Sequence, residues 1–358
     1  MNEKMRAARL SSRKSRRWLA GAAVILAAAV TACSSSSSAS SPSSQGSTAS
    51  LTNVTAIVAN NWSIGQFFGY YLLGIKQGFF KDEGINLTIQ QGTGSSTAAQ
   101  VVANGRATFG LDVSPTAMIN ADTEGATLKM VGADAQVSQL AVISLKAKPI
   151  TTPASLAGKT VGVPPGTTQA LLFTTFLKKN GVNPSSVHIV NVATPSLAAA
   201  LKEGRIDAAV AYSVGLVPTL TSMGVATDVL NWSSYGITLA PDGGIITTAS
   251  TLNSDSSLVK RFVTAASESL EYGLAHPESI YSAGYAVQPD SFVKSVVLAQ
   301  TQYMQQAISS AGLGSESPMY MNPSSWKSTL SMLVSVGAVK GAAANATTYY
   351  TNSFVPQS

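Results

Sequence analysis

The stretch Gly74–Asp112, GIKQGFFKDEGINLTIQQGTGSSTAAQVVANGRATFGLD, decides how the rest of the chain is read. It holds two supersecondary units in succession. In the first, Gly78 stops a helix, the Lys81-Asp82-Glu83-Gly84 turn follows, and Ile85-Asn86-Leu87-Thr88-Ile89 alternates apolar and polar residues as a half-buried strand does. In the second, the loop Gly92-Thr93-Gly94-Ser95-Ser96 opens a helix through Val101 and Val102, Gly105 stops it, and a short apolar strand ends at Asp112. A hydroxyl-rich loop at a helix start and an acid at a strand end both belong to the carboxyl edge of a parallel sheet. Ligands bind at that edge in open α/β folds.

The same helix, glycine stop and strand occur again further on. Ala103-Asn104-Gly105-Arg106-Ala107-Thr108-Phe109-Gly110 has its counterpart in Lys202-Glu203-Gly204-Arg205-Ile206-Asp207-Ala208-Ala209. About 300 residues follow Leu51, more than one small core usually holds, so two lobes are expected. The first begins with the strand Val54–Val58, a polar loop at Asn60–Ser63 that contains Trp62, and a helix start whose Phe67, Phe68, Tyr70 and Tyr71 are assigned mainly to the core. Leu128–Ala133 reads as a strand ending in Asp134-Ala135-Gln136, and Ala141–Leu145 as a further strand of the same lobe. Lys146–Pro153 is then the first crossing.

In the second lobe, Thr160–Val163 is a strand, Pro164–Thr168 a loop and N-cap, and Ala170–Lys179 a helix with basic residues in its last turn. A strand at Val187–Val192, a helix opened by Pro195-Ser196 and a buried strand Ala208–Ala211 leading to Tyr212 complete it. The return crossing falls between Thr238 and Gly244. A strand, Ile245–Thr248, follows, then helices at Ser257–His276, Asp290–Ala311 and Pro323–Val336 and a loosely held Asn/Thr/Ser-rich tail. The expected fold class is α/β with two lobes joined by two crossovers, residues 51–146 with 241–358 forming lobe one and 147–240 lobe two.

The amino terminus stands apart. Lys4, Arg6, Arg9, Arg13, Lys14, Arg16 and Arg17 precede the apolar run Trp18–Val30, and Val30-Thr31-Ala32-Cys33 closes it. A basic region, an apolar region of secretory length and small residues before the cut describe a signal peptide over 1–32. Arg16-Arg17 beside Trp18-Leu19 bears a slight likeness to a twin-arginine signal. Residues 34–50, SSSSSASSPSSQGSTAS, bury no apolar surface and read as a disordered tether. The formal charge of +6 comes from this leader, because without residues 1–32 sixteen basic and sixteen acidic residues remain. Charge therefore argues for neither nucleic acid nor an anionic surface as a partner.

With one cysteine in the chain, no disulfide framework or cysteine metal site is possible. His188 and His276 lack metal spacing and are assigned structural or surface roles. No cofactor or metal is expected. Gly92-Thr93-Gly94 lacks the Lys-Ser/Thr of a nucleotide loop, and no nucleophile-elbow pattern is present.

Four pieces in order, Gly78-Phe79-Phe80 to Gly84-Ile85, Asn104–Gly110, Leu156–Val163 and Ala200–Ala208, resemble the SsuA/THI5-like (NMT1/THI5-like) solute-binding proteins of ABC importers. The resemblance covers most of residues 51–340. It implies a type II periplasmic-binding-protein-like fold, a small-molecule solute and ABC permease subunits as partners, and no enzymatic activity. Cys33 resembles a lipobox cysteine, which implies a lipid anchor on the outer face of the bacterial cell membrane. A monomer is expected. The same family includes pyrimidine synthases with a cysteine-rich motif, which this sequence lacks. A lipoprotein that senses or presents, without transport, is a further alternative.

The candidate ligand residues are Asn61, Trp62, Gly94, Ser95, Ser96, Asp112, Gln136, Gly166, Thr167, Tyr212 and Asp242. The two helix starts, at Gly94-Ser95-Ser96 and Gly166-Thr167-Thr168, can offer N–H groups to an anion or serve as plain caps. Asp112 can bind ligand or cap the helix after Pro115. The strand-end loops together carry three Asp and no Lys or Arg. Such a cleft suits a flat solute with N–H donors, such as an aminopyrimidine, and could hold a sulfonate or taurine only through amide dipoles.

Overall fold

A computed structural model describes residues 50–60 and 65–357. The signal peptide, the tether, Cys33, Asn61 and Trp62 lie outside the described residues. The strands are β1 (Thr52–Val58), β2 (Ile85–Gln91), β3 (Phe109–Val113), β4 (Leu128–Ala135), β5 (Leu140–Leu145), β6 (Thr160–Val163), β7 (His188–Asn191), β8 (Ala208–Tyr212), β9 (Thr227–Asn231) and β10 (Gly243–Thr248). The helices used below are α1 (Tyr70–Gln77), α2 (Ser95–Ala103), α3 (Pro115–Ala121), α4 (Thr168–Lys179), α5 (Leu197–Lys202), α6 (Ser213–Ser222), α7 (Ser256–Ala275), α8 (Pro277–Val287), α9 (Lys294–Ser310) and α10 (Pro323–Ser335).

The strands form two five-stranded sheets, ordered β2-β1-β3-β10-β4 and β7-β6-β8-β5-β9. In the first, β1 pairs parallel with β2 and β3, and β10 runs antiparallel between β3 and β4. In the second, β6 pairs parallel with β7 and β8, and β5 runs antiparallel between β8 and β9. Each sheet thus has a parallel core entered by one reversed strand that arrives from the other lobe.

This corrects the expected boundary. Ala141–Leu145 was expected in lobe one, with Lys146–Pro153 as the crossing. The strand pairs instead with β8 and β9 of the second sheet, so the chain crosses at 136–139, directly after β4. An apolar strand fits either sheet equally well, and only its partners decide its place. The two crossings lie side by side, with the Asp242 N–H donating to the Ala135 carbonyl at 2.8 Å and the Ser138 N–H to the Leu239 carbonyl at 2.8 Å.

The aromatic helix start is core, as expected, with Phe67, Phe68, Tyr70 and Tyr71 all buried. Phe109 of β3 stacks on Phe262 of α7 at 3.9 Å between ring centres, which fixes that helix across the first sheet. Behind the second sheet Phe176 of α4 stacks on Trp232 at 4.7 Å. Further elements that escaped the sequence reading include α6, β9 and α8. Pro277 occupies the first turn of α8, where its missing N–H costs nothing.

The tail is held more firmly than its composition suggested. Met130 and Tyr350 form a parallel bridge, the Met130 N–H donates to the Tyr349 carbonyl at 2.9 Å, and the Thr351 N–H to the Met130 carbonyl at 3.0 Å. The tail therefore covers the edge of β4, and Tyr350 stacks on Trp326 of α10.

Candidate functional site

The topology brings both sheets to one cleft. β1 to β4 run the same way and β10 runs against them, so the carboxyl ends of β3 and β4 and the amino end of β10 share an edge. The second sheet likewise brings the ends of β6, β7 and β8 together with the start of β5. An outer hollow lies between the Gly92–Ser95 loop and the Pro164, Pro165, Thr167 and Ala193–Pro195 loops. Deeper in, a cavity with about 520 Å³ of empty space, part of it open to solvent, is lined by residues that include Phe67, Phe68, Asp112, Gln139, Tyr212, Asp242 and Met304. Among the described residues, neither lining includes a Lys, Arg or His.

Three carboxylates converge here for reasons visible in the backbone. Asp112 sits near the end of β3 with φ of 54°, a left-handed conformation that Asp tolerates better than most residues. Its N–H donates to Asp134 Oδ2 at 2.8 Å, and the Tyr71 hydroxyl donates to the same oxygen at 3.0 Å. The Asp242 N–H bond to the Ala135 carbonyl sets the third acid beside Asp134. Gly243 is needed for this closeness, since a Cβ there would stand 2.4 Å from Asp112 Oδ1. Asp134 and Asp242 are 2% and 4% exposed, and Oδ1 of each is buried with no hydrogen-bond partner among the described residues.

Electrostatics follow from that crowding. Burial lifts Asp134 from an ordinary 3.8 to about 7, against the lowering effect of the Asp112 N–H and the Tyr71 hydroxyl. Burial lifts Asp242 to about 7 as well, with the Gln139 N–H opposing and Asp134 adding to the rise. Asp112 is held well above its usual range by burial and then by its two acidic neighbours. Burial, followed by Asp242 and Asp112, likewise pushes the Tyr212 hydroxyl well up.

The structure distributes the sequence candidates unevenly. Asp112, Asp242 and Tyr212 line the deep cavity together. Gly94, Ser95 and Thr167 line the outer hollow. The two helix starts meet each other across the cleft, for the Ser96 N–H donates to the Gly166 carbonyl at 3.3 Å. Ser96 and Gly166 thus contact each other where an anion contact was expected. Thr167 is a cap, its hydroxyl donating to the Pro164 carbonyl at 2.7 Å and accepting the Ala170 N–H at 3.3 Å. Gln136 lines neither hollow, and its amide donates to the carbonyls of Pro318 at 2.6 Å and Tyr320 at 3.0 Å. It braces the segment beside β4 instead of facing the cleft.

Several lining residues escaped the sequence reading. Phe67 and Phe68 had been assigned to the core, yet they also wall the cavity. Met304 on α9 is distant in sequence and carries no local signal. Asp134, which lines neither hollow but holds the Asp112 N–H, was noted at its strand end without a separate role. Gln139 belongs to the crossing that the sequence misplaced. Its side-chain oxygen accepts from the Tyr303 hydroxyl, and its carbonyl accepts the Ser213 N–H at 2.8 Å. It is thus tied to α9 on one side and to α6 on the other.

Two sheets with crossed-over reversed strands and a cleft at their joined carboxyl edges define a periplasmic-binding-protein fold. Residues 65–280 match the family described as NMT1/THI5 like, and the chain belongs to that family. It is 24% identical over 225 residues, 63% of this chain and 68% of its relative, to the formylaminopyrimidine-binding protein of Halalkalibacterium halodurans. The periplasmic aliphatic sulphonate binding protein SsuA of Escherichia coli superposes with a TM-score of 0.63 at 12% identity, over 84% of this chain and 98% of that one. The desulfurization enzyme DSZB superposes with a TM-score of 0.57 at 14% identity, over 84% and 97%.

Proposed function

We propose that this chain is the extracytoplasmic solute-binding component of an ABC importer, capturing a small, flat polar solute with N–H donors, of the aminopyrimidine kind. The single observation that carries this reading is the cavity whose polar wall combines Asp112, Asp242 and Tyr212 with the amides of Asn60, Gln139 and Gln300, with no Lys, Arg or His among the described lining residues. Carboxylates accept from ring and exocyclic N–H groups, and Phe67, Phe68 and Tyr212 offer apolar faces to a flat ring. Kinship with a formylaminopyrimidine-binding protein supports the same class. Affinity arises because only the closed arrangement contacts the solute from both sheets.

The amino terminus completes the proposal. Residues 1–32 act as a signal peptide, Cys33 carries lipid, and the Ser-rich tether lets the monomeric binding unit reach its permease. Replacing Cys33 by Ala should release the protein from the membrane fraction, and retention there would remove the anchor from the reading.

The test of the solute class is titration calorimetry with formylaminopyrimidine and an alkanesulfonate. Binding of the first with Asp112→Ala weakened by about 1–3 kcal/mol supports the reading, as loss of a buried hydrogen-bond partner predicts. Binding of the sulfonate alone would overturn it in favour of N–H dipoles at the helix starts. The second reading, an enzyme, rests on the DSZB likeness in fold. Turnover of the bound solute, followed by mass spectrometry, would favour it.

A further inference from the structure

We infer that the closed cleft selects solutes bearing a positive charge on a flat amidine or amine group, and that it releases protons as it takes them in. The inference deepens the solute-binding reading of the same cavity and rests on it. Its basis is the arrangement of charge. Asp134 Oδ2 is held by the Asp112 N–H at 2.8 Å, and Asp242 is held beside it through the Ala135 carbonyl at 2.8 Å. The other oxygens, Asp134 Oδ1 and Asp242 Oδ1, are buried without a partner among the described residues, and Asp242 lines the cavity itself. Such oxygens have no donor among the described residues.

The titratable groups facing the cluster are Tyr70 and Tyr71 from α1, Tyr212 from β8, Tyr303 from α9 and the three acids themselves. None brings a positive charge. Closing over two or three ionised carboxylates that lack a counter-charge is strongly disfavoured in a site of low dielectric, so the empty closed site retains protons. Burial, which holds the carboxyls of Asp134 and Asp242 up at about 7, agrees with this. When an amidinium enters, a carboxylic O–H bond breaks, its proton passes to the solvent, and the carboxylate so formed accepts the amidinium N–H groups. A fork of two parallel donors matches the two carboxylate oxygens, which is the strongest pairing open to such a site. A neutral amide of the same shape brings no charge and displaces no proton.

The experiment titrates benzamidinium and its neutral counterpart benzamide into the purified protein by calorimetry at pH 5.5 and 6.5, in phosphate and in cacodylate. Benzamidinium should bind at least about a hundredfold more tightly than benzamide. Its Kd should fall about tenfold per pH unit for each proton released. The binding heats in the two buffers should differ by the buffers' ionisation heats times the same number of protons. Asp242→Asn, checked for an intact melting transition, should narrow the preference for benzamidinium by tenfold or more, with Asp134→Asn as the second variant. Equal binding of both probes overturns the charge selection, and a pH-independent Kd overturns the proton release. Binding of formylaminopyrimidine without benzamidinium overturns this inference alone, and failure of both to bind overturns the solute reading with it.

Discussion

Replacing Asp242 by Asn tests the electrostatic description directly. The carboxyl rises from 3.8 to about 7 in the fold, so between those values the folded chain holds a proton that the unfolded chain has lost. Stability from this group is therefore full at low pH and declines as pH rises towards 7, after which the penalty is constant. A shift of about three units corresponds to a ceiling of about 4 kcal/mol. Asp134 shares the same burial and competes for the same protons, and parting of the lobes rehydrates both acids, which together lower the expected effect to about 2 kcal/mol. Asn matches the protonated acid in shape and does not titrate. Asp242→Asn should therefore match the wild type only below about pH 4, draw ahead of it as pH rises from there towards 7, and exceed it at pH 8 by about 2 kcal/mol in urea unfolding, or about 4 °C in Tm. Identical pH profiles for the two proteins would refute the buried, crowded carboxyl.

Gln136→Ala should cost about 1–3 kcal/mol by leaving the Pro318 and Tyr320 carbonyls unpaired, while solute affinity by calorimetry stays unchanged. Gly94→Ala should hold the lobes apart, since Gly94 has φ of 150° and its Cβ would lie 2.3 Å from the Gly166 carbonyl oxygen; a larger radius of gyration in solution scattering with solute present is the expected result. Phe262→Ala should lose about 3–5 kcal/mol in urea unfolding, because it removes the ring stacked on Phe109 at the centre of the first sheet.

What the sequence made legible was local. The glycine stops at Gly78, Gly105 and Gly204 and the alternation of Ile85–Ile89 marked the elements, and the strand-end rule picked out Asp112, Tyr212 and Asp242 before any contact was known. What it hid was pairing. Nothing in Leu140–Leu145 says that it joins the second sheet, and the same error concealed Gln139. The helix-start loops were located correctly, but whether their N–H groups face a ligand or the opposite loop depends on how closely the lobes approach. Gln136 illustrates the limit, for a polar residue one position past a strand can point into the cleft or away from it, and its partners lie about 180 residues further on.

The position of β10 has a consequence for the order in which the chain can fold. The second sheet draws all its strands from the continuous stretch 140–231, whereas the first lacks its inner strand until Gly243–Thr248 has emerged. The later-synthesised half of the cleft can thus be finished while the earlier half still has an open gap between β3 and β4. Pairings so distant in sequence close slowly. During that interval β3 and β4 expose unpaired apolar edges, and a chain cut short before β10 would leave Asp242, the residue just ahead of that strand, without the pairing that sets it beside the other two acids.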